Sequence, residues 1–373
     1  ENHSNRQLPV KRKLPFVLCL RRRNILEAVK LKHNQTLDCA KGFLMMLVIL
    51  GHAIVHYDTD AYTNLAFRIC YSFHMFLFMY ISGWLIAHRE NNFLWLWQRV
   101  QRLIVPFFLW SIIFQLYFIG TIGMQDIIRF LLSPSLWYLL VLFLCDCLLT
   151  VCVFFNKKNS FLRNHSYIMA VLLFIGIYVY IYMQSVSGIA DSIKMLAIYF
   201  PFYYAGYYIA RNKIRISNKY IYFIMVLYPF VMLFYGYKDR SAQADLLQSV
   251  LSFFSINAHV ADKILALFLG IGGSLYNHFI VGICGCVFFW KVICLLSRIP
   301  YIKNVLLLMG AYSLQIYIMS SFFMSPVSDH AYVNGIFSFV FGIIGPIYIG
   351  KLINHSKIFN RILFGIREKK SVS

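Results

Sequence analysis

The chain has 373 residues, 60% of them hydrophobic and 18% aromatic, with only 13% charged, which excludes an ordinary soluble globular protein with about 25% charged residues. Its net charge of +21 does not mark a nucleic-acid binder, because the basic residues collect in short connections between apolar runs, as the positive-inside rule expects. Those runs are about 20 residues long, the length of a membrane-crossing helix, and the short alternating segments of a β-barrel are missing. The reading is an all-α, polytopic transmembrane bundle that contacts membrane lipid and no nucleic acid.

In chain order, residues 1–35 form a basic arm. Its apolar stretch, Leu14 to Leu20, is too short for a span and poorly placed for a signal peptide, so the arm is expected on the cytoplasmic side, against anionic lipid. Ten spans fit the remainder: 37–57, 65–87, 101–120, 134–155, 166–186, 192–210, 220–237, 275–296, 305–323 and 335–354. Of the 35 Lys and Arg, Lys41 and Lys291 lie within spans, and Arg68, Arg129, Lys194, Lys238, Arg240 and Lys263 fall on one side. All the others fall on the opposite side, which predicts that both termini are cytoplasmic. The stretch 246–273 is apolar but interrupted by Asn257, His259, Asp262 and Lys263, and is read as external or re-entrant. No connection is long enough for a soluble domain, so 36–356 is one membrane domain and 357–373 a basic cytoplasmic tail.

The first span carries an acid, a base and a histidine in the run from Leu37 to His52. Ionisable groups in hydrocarbon cost at least a few kcal/mol each and are seldom there without a task. At 100° per residue, Asp38, Lys41, His52 and His56 share one side of the helix, Lys41 and His52 being only about 20° apart. That stripe faces a cavity or other helices. His74 stands early in the second span, on the side where the first span ends, so His52 and His74 are expected at similar depth on adjacent antiparallel helices. Arg99 and Arg102 open the third span, and their spacing of three puts both on one face at a helix N-terminus, where anions bind.

The nine cysteines are odd in number and mostly within apolar runs. The pairs Cys145/Cys147 and Cys284/Cys286 point to different helix faces, which argues against a metal site and leaves them as small apolar fillers.

Six segments in order carry a resemblance: LDCAKG…GH (37–52), FHMFLFMYISG (73–83), RVQRLIVPFF (99–108), LWYL (136–139), FPFYYAGYY (200–208) and YSLQIY (312–317). Together they resemble the acyltransferase-3 family of integral membrane acyltransferases, in its fucose 4-O-acetylase-like branch, over about residues 35 to 355. Two positions depart from that pattern. Phe76 stands where the family usually has proline, and Ser320 and Ser321 stand where it often has histidine.

The resemblance implies transfer of an acyl group, usually acetyl, from cytosolic acyl-CoA to a hydroxyl of an envelope polysaccharide or lipid-linked sugar, in a bacterial cytoplasmic membrane. Acetyl-CoA would be a co-substrate, with no permanently bound cofactor. A hydroxyl needs a base, which fits His52 as base or acyl relay and His74 as its partner. Asp38 and Lys41 lie about 16 to 21 Å from His52 along the helix, so they position or gate the CoA thioester arm, and Arg99 and Arg102 suit its phosphates.

Blander roles stand beside these. Asp38 and Lys41 also make an i, i+3 pair at a helix start, and the arginines are also topology signals. Trp137 and Tyr138 fit an aromatic belt as well as an acceptor-sugar platform. Ser313, Gln315 and Tyr317 read as interhelical hydrogen bonders, and His56, His88 and His278 as interface residues. The rival function is a transporter or flippase of a lipid-linked glycan, which would favour inverted repeats and Pro-broken helices near the midplane. No repeat shows, and the prolines sit mostly at span ends.

Overall fold

The computed structural model describes residues 16–89, 93–118, 136–158, 191–236, 241–253, 275–324 and 327–366 apart from 329, with isolated positions between 167 and 175 and between 257 and 263. Among the described residues there is no strand. The helices are α1 (Phe16–Tyr57), α2 (Leu65–Ile86), α3 (Phe93–Arg99), α4 (Val105–Phe118), α5 (Trp137–Lys158), α6 (Asp191–Arg211) and α7 (Asn218–Leu233). They continue with α8 (Ser241–Phe253), α9 (Val281–Leu296), α10 (Pro300–Ala311), α11 (Ser313–Met319), α12 (Ala331–Ile353) and α13 (Lys357–Phe364). π-helical turns join α3 to α4 (Val100–Ile104) and lead into α9 (Tyr276–Ile280).

Among the described residues, six segments are long and apolar enough to cross a bilayer: Gln35–Tyr57, Leu65–Ile86, Leu94–Phe118, Trp137–Lys158, Tyr276–Leu296 and Ala331–Ile353. The pair α10 and α11 with its 3-10 extension reaches the same length and apolarity only when taken together, and it is bent by 64° at the break. The expected spans at 192–210 and 220–237 coincide with α6 and α7. However, α6 carries Asp191, Lys194 and Arg211, and α7, at 16 residues, is short of a full crossing. The expected span at 166–186 lies outside the described residues except at a few positions, and so does most of 246–273 beyond α8. Outward positions such as Phe223 and Val226 on α7 and Ile336 on α12 are about two-thirds exposed. An apolar exterior of this kind belongs in lipid, and the chain is an integral membrane protein.

Among the described residues, Pro201 in α6, Pro229 in α7 and Pro346 in α12 stand inside helices, although the sequence reading counts Pro201 and Pro346 among prolines that sit mostly at span ends. Each removes one backbone hydrogen bond within its helix, so proline position does not weigh against a transporter.

Lipid is as apolar as the side chains, so helix association here depends on close contact between backbones. Two reciprocal glycine contacts provide it. A Cβ on Gly42 of α1 would lie 2.0 Å from the Leu306 carbonyl oxygen of α10, and one on Gly310 of α10 would lie 2.1 Å from that of Asp38. Between α2 and α6, a Cβ on Gly83 would lie 1.9 Å from the Tyr203 carbonyl oxygen and one on Gly206 would lie 2.0 Å from that of Tyr80. Helices α1 and α2 also pack on each other, α1 against α12, and α2 against α9.

The segment after residue 356 opens with α13, which docks on α4. Trp110 Nε1 donates to the Leu363 carbonyl at 2.8 Å, and Phe364, fully buried, stacks on the Trp110 ring. The helix ends at Gly365, whose φ of +62° is the left-handed cap that glycine favours.

Gly83→Ala and Gly206→Ala should each destabilise the bundle by about 3 kcal/mol, the upper part of the overpacking range, because the atom each methyl meets is backbone. Thermal unfolding in detergent reads this directly. Gly335→Ala, whose added methyl would meet nothing within 4 Å, should leave the midpoint unchanged.

Candidate functional site

The turn between α1 and α2 sets the depth of the two histidines. Asp58 accepts from the Asp60 backbone N–H at 3.0 Å and from Asn64 Nδ2 at 2.9 Å. The Asn64 side-chain oxygen in turn accepts from the N–H groups of Ala66 and Phe67, capping α2. With the turn held tight, His52 comes six residues before Asp58 and His74 ten after Asn64, at comparable depth on neighbouring helices.

Both line one cavity of about 250 Å³. His52 is exposed into it, and no hydrogen-bond partner for its ring is found among the described residues. His74 is buried, and its Nδ1 lies 2.6 Å from the Cys70 carbonyl oxygen. A carbonyl only accepts, so Nδ1 carries the hydrogen and Nε2 of the neutral ring keeps the lone pair. The Tyr71 ring stands edge-on to His74 at 4.9 Å. Gly51, next to His52, makes room for that ring, since a Cβ there would lie 2.6 Å from Tyr71 Cε2.

The far wall is aromatic. Trp137 stacks on Tyr199 with centroids 5.3 Å apart at 19°, and Tyr199 meets Phe76 at 5.2 Å. Phe76, the residue in place of the family's proline, also packs on Phe202, and both press against Gly282. The departure is thus absorbed by a glycine on the facing helix. His278, read from sequence as an interface residue, lines this cavity with Asn277.

A second cavity, about 120 Å³, lies along the same stripe of α1 and is lined by Lys41, Met45, Ser82, Tyr138 and Ser313. The two cavities share Val48, Met75 and Tyr317 as common walls. Lys41 Nζ bonds Asp38 Oδ1 at 2.9 Å, the i, i+3 pair of the blander reading, while the Lys41 side chain still borders the cavity. The stripe on α1 therefore faces cavities, as its periodicity predicts, with Lys41 in one and His52 in the other. Trp137 and Tyr138 divide in the same way.

The arginines behave differently from the sequence expectation. The helix starts at Phe93, so neither is at its N-terminus, and Arg102 sits within a π-helical turn at Val100–Ile104, where the α-helical spacing rule no longer applies. Arg99 turns inward, its Nε 2.5 Å from Asp146 Oδ2, with the Asp146 side chain fully buried. The Tyr203 hydroxyl donates to the other Asp146 oxygen. Arg102 remains exposed. Asp146 carried the same signal as Asp38 and Lys41, an ionisable residue inside an apolar run, but it stands between the two cysteines of Cys-Asp-Cys (145–147). Tyr199 had no distinguishing signal in so tyrosine-rich a chain, whereas Tyr203 and Tyr317 stood within the matching segments 200–208 and 312–317, Tyr317 read there as an interhelical hydrogen bonder. Among the described residues, no three His, Cys, Asp or Glu come together as metal ligands.

The family described as an acyltransferase domain matches residues 34–354. The chain is also similar to the nodulation protein NolL of Mesorhizobium japonicum, with 26% identity over 259 residues, 64% of this chain and 63% of that protein. It is similar to NolL of Sinorhizobium fredii at 27% identity over 194 residues, 48% of this chain and 49% of that protein. The chain thus spans less than two thirds of the length of both relatives. No solved structure matches.

Removing one partner of a buried ion pair strands the other charge at about 3–5 kcal/mol. Asp146→Ala should therefore lower the thermal midpoint in detergent sharply, and adding Arg99→Met to it should recover much of the loss. Arg102→Ala should change stability by no more than about 0.5 kcal/mol.

Proposed function

We propose that this chain, which belongs to the acyltransferase-3 family, is a membrane O-acyltransferase that moves an acetyl group from cytosolic acetyl-CoA to a hydroxyl of an envelope polysaccharide or lipid-linked sugar. One observation carries the reading. Two histidines from different helices line a cavity whose walls are continued, through Val48, Met75 and Tyr317, by a second cavity bordered by Lys41. Such an arrangement lets a donor and an acceptor approach one point from opposite sides of a bilayer. The proposed setting is a bacterial cytoplasmic membrane, with ten spans and both termini inside, so that Lys41 lies toward the cytoplasm and His52 toward the outside.

The chemistry asked of the residues is modest. His52, open to the cavity, takes the proton of the acceptor hydroxyl as its oxygen attacks the thioester carbonyl carbon. The carbon–sulfur bond then breaks, and the CoA thiolate receives the proton from the imidazolium. His74, with its tautomer held by Cys70, keeps an Nε2 lone pair beside His52. The stacked Trp137 and Tyr199, with Tyr138 nearby, offer the flat apolar faces on which sugar rings settle. Lys41, steered by Asp38, guides the donor arm. Arg102 suits the CoA phosphates, whereas Arg99 is committed to Asp146 and serves the fold. Acetyl-CoA is a co-substrate here and no resident cofactor is invoked.

A glycan transporter without chemistry has one observation on its side, two cavities in series, one of them bordered by α6, the helix that carries Pro201. Covalent product separates the two readings. Membranes containing the protein, given radiolabelled acetyl-CoA and the host's envelope glycan, should place label in base-labile ester on the glycan. His52→Ala, inserted at wild-type level, should lower that incorporation by at least about 100-fold, and His74→Ala should also lower it. Glycan that crosses the membrane without acquiring label would turn the assignment toward transport.

A further inference from the structure

The acyl transfer proposed above leaves one charge unattended. When the acceptor oxygen attacks, the carbonyl oxygen of the thioester becomes an oxyanion, and in an apolar site that charge needs a hydrogen-bond donor already in place. Lys41 borders only the smaller cavity, and its Nζ is paired with Asp38. Of the two tyrosines bordering the Lys41 cavity, Tyr138 has its hydroxyl 3.0 Å from Ser82 Oγ.

Tyr317 is placed differently. It stands on α11, just beyond the 64° bend, and lines both cavities. Its hydroxyl oxygen accepts the backbone N–H of Tyr138 at 3.2 Å. That N–H belongs to the first turn of α5 and has no carbonyl partner within its own helix. Accepting a hydrogen bond occupies a lone pair of the hydroxyl and not its proton, and it polarises the O–H as a donor. Among the described residues no acceptor takes the Tyr317 proton.

We propose that Tyr317 is a catalytic residue, the hydrogen-bond donor to the thioester carbonyl oxygen and to the oxyanion that forms from it, at the wall where the two cavities meet. The step balances. The acceptor oxygen bonds to the carbonyl carbon, and the carbonyl π pair moves onto oxygen under the Tyr317 O–H. As that pair returns, the carbon–sulfur bond breaks toward the thiolate, and Tyr317 keeps its proton throughout. The α5 N-terminus serves as its anchor, because the Tyr138 N–H fixes the hydroxyl oxygen and adds the favourable field of a helix N-terminus to the developing anion.

This assignment rests on the acyltransferase reading, and the test separates the two. Tyr317→Phe keeps the ring and removes the donor. With wild-type membranes transferring label, the variant should lose about 100- to 1,000-fold in kcat, the loss typical of one oxyanion donor. Its KM for acetyl-CoA, and its binding of a thioether analogue that lacks the carbonyl, should stay within about twofold, because the interaction strengthens only in the transition state. Unchanged kcat would remove Tyr317 from the chemistry while leaving acyl transfer intact. Parallel loss of analogue binding would make it a binding residue and overturn the proposal. Absence of transfer by the wild type would remove the reading beneath it. Should the Phe variant fail to accumulate, 3-fluorotyrosine at position 317 retains the shape with a stronger donor. A kcat above wild type then supports the role, and one at or below it overturns it.

Discussion

Backbone-to-backbone contact through glycine is the constraint on which the rest of this structure depends. In lipid there is little to gain from burying one apolar side chain against another, so two helices stay together only where they approach closely enough for dispersion and backbone contacts to matter. Gly42 with Gly310 draws α1 onto α10, and Gly83 with Gly206 draws α2 onto α6. Because α1 and α2 are themselves joined by the turn around Asp58 and Asn64, these contacts fix four helices relative to one another. Together with α5, α11 and the turn at Asn277 and His278, α1, α2 and α6 then border the pair of cavities lined by Lys41, His52 and His74.

Polar groups then follow the geometry that packing sets. Asp146, Lys41 and His52 each stand opposite a partner or beside a cavity, as the expense of a bare charge in hydrocarbon demands. Asp146 takes the first course with Arg99 and Tyr203, tying α3, α5 and α6 together in a region where Tyr203 also supplies the carbonyl that Gly83 touches. Lys41 takes both courses, bonded to Asp38 yet bordering open space. His52 takes the second. A polar group that borders space and lacks a fixed partner is free to meet a substrate, and this difference, more than residue type, sorts the functional candidates from the structural ones.

The two arginines illustrate how a local rule is displaced by a small irregularity. Spacing by three in a regular α-helix predicts a shared face. Arg102 lies within a π-helical turn, where that rule does not hold; Arg99 meets a buried carboxylate, while Arg102 stays outside, its backbone against the chain that follows α13. Phe76 makes the converse point. Its departure from the family's proline leaves α2 continuous, because Gly282 and the aromatic wall accept the extra ring.

The sequence by itself determined that the chain is helical and membrane-bound, that α1 carries a polar stripe, and that His52 and His74 lie at matching depth. These properties depend on hydropathy and on the helical period, both of which act within a few turns of one helix and can be read in one dimension. Only the tertiary structure decided that Asp146 answers Arg99 across 47 residues and that Tyr317 meets Tyr138 across 179. It also moved His278 from the interface into the cavity, and set Pro201 inside a helix. Those outcomes depend on which helix faces touch and on where a π turn or a bend alters the register. Interhelical contact is a sum over residues far apart in the chain, and no periodicity along the chain records it.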